Sequence, residues 1–124
     1  MILKLVLSVF LGFIIGLERE LHGKAIGIKT VSLVTLGATL FTLMSPDIED
    51  YSRIVAQVVS GISFICAGVL IKSDTHITGL TTSAILWVSA AIGCLVGLNM
   101  LLEAFVGTVC ILIITWIFPF FKKK

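Results

Sequence analysis

Five long apolar stretches run through the chain, at residues 2–21, 28–44, 54–71, 80–96 and 100–121. Nearly all charged residues fall between or beside them. Each stretch is close to the roughly 17–25 residues that a helix needs to cross a bilayer. The first is apolar only through Leu17, and its helix is expected to run on to Leu21. Only helices and closed barrels satisfy their backbone groups in lipid. Barrel strands would alternate apolar and polar residues over about ten positions, and these stretches are continuously apolar instead. The pattern predicts an all-α polytopic membrane bundle of about five transmembrane helices in one domain, with no soluble domain. The first stretch leads straight into Gly16-Leu17-Glu18-Arg19 without a small-residue cleavage pattern, so it reads as a retained helix.

Composition agrees. Of 124 residues, 58% are hydrophobic and 13% charged, against about 25% charged in an ordinary soluble domain. Mean hydropathy is +1.18. A soluble enzyme domain and a disordered chain are both excluded, and no nucleic-acid partner is expected. Membrane lipids are the surroundings.

Charge then orients the bundle. Five crossings place Arg19, Lys24, Lys29, Lys72, Lys122, Lys123 and Lys124 on one face, and Lys4 and Arg53 on the other. Cations near helix ends mark the cytoplasmic side. The N-terminus is therefore expected outside and the C-terminus in the cytoplasm, with Trp116, Phe118, Phe120 and Phe121 at the inner headgroup level.

Small and hydroxyl residues form stripes. Gly12 and Gly16 in helix 1, Gly61 and Gly68 in helix 3, and Gly93 and Gly97 in helix 4 suit close helix packing. Ser32, Thr35, Thr39 and Thr42 share a face of helix 2. Such stripes fit helix contact or a polar substrate cavity, and packing is the favoured reading. They do not distinguish intramolecular contact from a dimer face. A homo-oligomer is expected of so small a bundle, with a dimer favoured. Cys66, Cys94 and Cys110 lie in apolar spans and read as core residues without disulfides.

No span carries a charge near its middle, where proton relays and ion paths place theirs. Glu103 lies about one turn inside helix 5. Polar chemistry concentrates in the two inner loops, residues 16–30 and 72–82. Glu18 and His22, and Glu20 and Lys24, are helical i,i+4 pairs. Gly23 can end helix 1. Glu18 and Glu20 are about 200° apart on a helix. Thr78 is a candidate N-cap of helix 4, followed by Thr81 and Thr82. Two readings stand for this face. In one, a loop-1 glutamate caps helix 4 and Arg19 or Lys29 pairs with Asp74. In the other, the cluster Glu18, Arg19, Glu20, Lys29, Thr30, Asp74, Thr81 and Thr82 is a site for a cation or a partner. Glu18, Glu20 and Asp74 offer the oxygen ligands that Mg2+ takes. His22 and His76 form no metal-spaced motif. No metal site is assigned.

These residues also carry a resemblance. The matching segments are Gly16-Leu17-Glu18-Arg19-Glu20, Gly23-Lys24, Gly27-Ile28-Lys29-Thr30 and Leu36-Gly37-Ala38. They continue through residues 53–62, Ala67-Gly68-Val69, residues 79–84 and residues 86–93. In order and spacing the chain resembles the membrane domain of the MgtC/SapB family. The resemblance implies a bacterial inner-membrane protein of about five helices, linked to growth at low magnesium and, in pathogens, to survival in the host. It implies regulation of other membrane proteins, ATP synthase or a magnesium transporter among them. Its characteristic helix positions fall here at Arg53, Gln57, Gly61, Gly68 and Trp87. Longer members carry a cytoplasmic C-terminal domain, whereas this sequence stops at the lysines. Lys29 stands where arginine is usual. Ser63 and Cys66 stand where glycine is common, which is expected to loosen packing around helix 3.

The function expected is non-enzymatic support of magnesium homeostasis by regulating or assisting other membrane proteins. The alternative is a small oligomeric transporter or channel for magnesium or another small cation. An intramembrane enzyme is disfavoured, because no His or Asp lies within a span to activate a hydroxyl.

Overall fold

A computed structural model describes residues 1–24, 26–45, 47–72 and 77–117. The chain forms a membrane bundle of five helices. They are α1 (Ile2–Leu21), α2 (Ile28–Leu43), α3 (Tyr51–Val69), α4 (Leu80–Gly97) and α5 (Leu101–Ile117). A 3-10 turn, Ile48–Asp50, leads into α3. A two-residue antiparallel pair, β1 (Ile71–Lys72) with β2 (Ile77–Thr78), closes the loop before α4. α3 starts and ends earlier than its apolar stretch, because the 3-10 turn feeds directly into it.

Two helix ends show why these elements stop where they do. After α1, Gly23 takes φ +68°. Its N–H donates to the Glu20 carbonyl, and the Lys24 N–H reaches back to Arg19. This is a Schellman termination, which needs a left-handed residue. α4 ends the same way, with Asn99 at φ 67° in glycine's place. The Asn99 N–H bonds Val96 and the Met100 N–H bonds Leu95.

The core sits where α1 and α4 grip α2. A Cβ on Gly12 would overlap the Thr35 hydroxyl and come 2.8 Å from Ser32 Cα. One on Gly16 would lie 2.7 Å from Ile28 Cα. Further along the same face of α2, a Cβ on Gly93 would overlap the Thr35 carbonyl, and one on Gly97 would meet Thr42 at 2.7 Å. Both glycine pairs thus make intramolecular contacts. Lipid supplies no hydrophobic drive between helices, so this backbone approach is what holds them. Thr35, Thr39 and Thr42 of α2 are fully buried. Thr39 Oγ1 donates to the Thr35 carbonyl at 3.0 Å and to Gly93 of α4 at 2.8 Å. Thr35 Oγ1 donates to Ser8 of α1 at 2.9 Å.

α3 is held differently. Its buried residues are Ile62 and Cys66 alone. Cys66 Sγ donates to the Ser83 carbonyl of α4 at 3.2 Å, and Ser83 Oγ returns a bond to the Cys66 carbonyl at 2.8 Å. The Cys66 thiol thus clasps α3 to α4, on a helix that otherwise buries only Ile62. Gly61 and Gly68 make no close contact within the chain. A Cβ at either would meet nothing within 4 Å.

Candidate functional site

The polar residues at the end of α1 and in the loops after α1 and α3 divide into two groups. Glu18 and Arg19 end α1 with relative exposures of 2% and 5%. Arg19 folds back on its neighbour. Its Nε donates to Glu18 Oε1 at 2.7 Å and its Nη2 to Oε2 at 2.9 Å. The fork matches both carboxylate oxygens, the strongest geometry such a pair has. Nη1 remains, and it donates to Thr82 Oγ1 in the first turn of α4 at 3.2 Å. Burying two charges is costly unless further bonds satisfy them, and Thr82 provides one from 63 positions away in sequence. His22 adds another contact, its Nδ1 lying 3.2 Å from Glu18 Oε2 and 2.8 Å from the Glu18 carbonyl oxygen. The His22 ring meets Trp116 of α5 edge-on at 5.1 Å. One cluster thus ties α1, α4 and α5 at the same end of the bundle.

Glu20 turns away from that cluster, as the helical angle between it and Glu18 requires. Its Oε1 accepts the Ile28 N–H at 2.9 Å, placing a carboxylate on the positive end of α2. A Cβ on Gly27 would overlap that carboxylate. The expectation that a loop-1 glutamate caps α4 is therefore corrected: Glu20 caps α2, and α4 receives Arg19. The expected Thr78 cap is also replaced. The residue before α4 is Gly79, at φ +88° and without a side-chain cap bond. A Cβ there would come 3.0 Å from the Val69 carbonyl.

The other candidate positions of these loops are not drawn together. Lys29 and Thr81 are exposed, and Thr30 lies in the first turn of α2. Asp74 and His76 lie outside the described residues. Among the described residues, no group of three or more His, Cys, Asp or Glu comes together to hold a metal.

The helix positions mark a second feature. Arg53, Gln57 and Gly61 of α3 line one wall of a trough of about 990 Å³. Gly37, Phe41 and Thr30 of α2 line the other, and Ala90 of α4 lies at its floor. The trough exists because α3 is clasped to α4 and scarcely touches α2. Sequence reading passed over Gly37, whose place on the same α2 face as Thr30, Leu33 and Phe41 was the available signal. Trp87 borders a smaller hollow of about 380 Å³ between α3 and α4, beside Cys66 and Ser83. Gly68 opens onto free space.

Comparison with known proteins agrees with the residues that carry the resemblance. The MgtC family model matches residues 5–124. The chain belongs to the MgtC family. It is 42% identical over 113 residues to Protein MgtC of Salmonella typhimurium, covering 90% of this chain and 49% of that protein. It is 36% identical over 135 residues to Protein SapB of Bacillus subtilis, covering 99% of this chain and 58% of that protein. An uncharacterized protein of Haemophilus influenzae is 36% identical over 133 residues, covering 97% and 56%. The chain thus spans about half the length of the curated MgtC relatives it matches. No solved structure matches it.

Proposed function

We propose that this MgtC-family chain supports magnesium homeostasis under low magnesium without being an enzyme, by regulating or assisting another protein of the bacterial inner membrane. The observation that carries this reading is where the buried polar groups are spent. Thr35, Thr39, Thr42, Ser89, Thr108 and Thr115 each donate to a backbone carbonyl. Glu18 and Arg19 satisfy each other. Among the described residues, Ser32 Oγ alone is buried without a partner. A path for a hydrated cation needs polar groups left free to replace water, and this bundle has committed its own to packing. The trough between α2 and α3 is lined chiefly by apolar side chains. Such a chain acts through its surfaces. The family resemblance supplies the class of partner, ATP synthase or a magnesium transporter. The lysine and arginine distribution supports an outside N-terminus and a cytoplasmic C-terminus.

The test pairs growth with flux. The chain is expressed in a bacterium deleted for its own MgtC-family protein and grown at low magnesium. Growth is expected to recover, and Arg19→Lys is expected to restore less at equal membrane abundance, because lysine cannot fork onto Glu18. Purified chain in liposomes is expected to pass no magnesium. Flux above that of protein-free liposomes would make the chain a transporter and sink the proposal. Failure of the wild-type chain to restore growth would sink it as well.

A further inference from the structure

The α2–α3 trough is amphipathic along its length. Its α2 wall follows one helix face from Thr30 to Met44, and its α3 wall runs from Arg53 to Ile65. At 1.5 Å per residue these walls are roughly 20 Å long. That is nearly the length of α2 itself, Ile28–Leu43, and more than half the roughly 30 Å hydrocarbon core. Ile65, at the far end of the α3 wall, adjoins the Cys66–Ser83 clasp that holds α3 to α4. An acyl chain tethered at the headgroup level of Arg53 has room to lie along it.

The open end has the matching polar groups. Arg53 is 75% exposed at its side chain, with Nη2 2.7 Å from Asp50 Oδ1. Gln57 lies one turn deeper on the same face. Asp47 and Glu49 are exposed in the segment leading to α3. The mouth therefore sets a cation and an amide donor beside the Asp50 carboxylate, with Asp47 and Glu49 exposed in the segment before it. A purely anionic headgroup would suit Arg53 but face those carboxylates. A headgroup carrying both a phosphate and a primary ammonium suits both. Below the mouth, Gly37 and Gly61 leave the walls without side chains, and a Cβ at either would meet nothing within 4 Å.

We propose that this trough binds an aminophospholipid of the phosphatidylethanolamine class from the leaflet that Arg53 faces. The phosphate sits on Arg53 and Gln57, the ammonium on the loop carboxylates, and an acyl chain lies between Gly37 and Gly61. The site does not depend on which protein the chain regulates.

Native mass spectrometry of the detergent-purified chain tests this. Phosphatidylethanolamine, phosphatidylglycerol and phosphatidylcholine of identical acyl chains are supplied in equal amounts. Phosphatidylethanolamine is expected to be retained over the other two. Arg53→Ala is expected to cut that retention roughly tenfold, the size of one charge-assisted hydrogen bond. Gly61→Leu, which has room in the fold, is expected to abolish it by filling the trough. Phe64→Ala, altering an 81% exposed side chain elsewhere on α3, should leave it unchanged. Equal retention of the three lipids overturns the proposal, as does retention indifferent to Arg53→Ala and Gly61→Leu. A dimer that Gly61→Leu dissociates, with no lipid retained, would assign the trough to a second copy and overturn it too.

Discussion

α2 is gripped by two helices, while its neighbour in sequence, α3, is held along one edge. Glycines of α1 and α4 bring their backbones against α2, and its buried threonines bond across to Ser8 and Gly93. α3 buries two residues and hangs from α4 by one reciprocal pair. Both helices carry small residues at helical spacing, so composition does not separate them. What separates them is whether a complementary surface faces the stripe. In lipid, where apolar area alone attracts nothing, an unfaced stripe remains an open groove.

Several substitutions break or sharpen this contrast. The largest effect is expected where the C-terminal end of α1 meets the start of α4. Arg19→Ala would leave Glu18 buried without its partner, at a cost of about 3–5 kcal/mol. Thermal unfolding of the detergent-purified protein should show it as a large drop in midpoint. An unchanged midpoint would mean that the α1–α4 tie is ornamental.

Next comes a matched pair of glycine substitutions. Gly93→Ala forces a methyl group into the α2 backbone, and overpacking of this kind costs about 1–3 kcal/mol. Gly61→Ala meets open space and should instead stabilise α3 by about 0.5–1 kcal/mol through helix propensity. The comparison fails if both substitutions shift the unfolding midpoint in the same direction.

The smallest effect tests the hydroxyl bonds. Thr39→Val keeps the shape and removes the donor to Gly93 and Thr35. A loss of about 1 kcal/mol is expected, in line with interhelical bonds in membrane bundles. A stabilised variant would show that shape alone holds α2 to α4.

Much of the architecture could be read from residue order. The continuation of α1 through Glu18 to Leu21 and its termination at Gly23 followed from apolar length and glycine's access to positive φ. The divergence of Glu18 and Glu20 followed from helical angle. Other features depended on partners remote in sequence. Nothing local says that Arg19 reaches Thr82 or that Glu20 reaches Ile28, because both contacts arise from where helix ends are brought together. Thr78 has good capping chemistry, yet the close approach of the chain to Val69 demands the residue without a side chain, and Gly79 takes that place.

The number of helices and their approximate ends were determined by the sequence alone. Crossing a bilayer depends on a local sum of side-chain hydropathy, and the backbone has no alternative to the helix there. Only the tertiary structure decided that two glycine pairs close interfaces while Gly61 lines a trough and Gly68 faces open space. Gly12 with Gly16 and Gly93 with Gly97 are four apart and Gly61 with Gly68 seven, so each pair shares one helix face along the chain. Their fates differ because close packing is a property of two surfaces, and the sequence of one helix describes only its own.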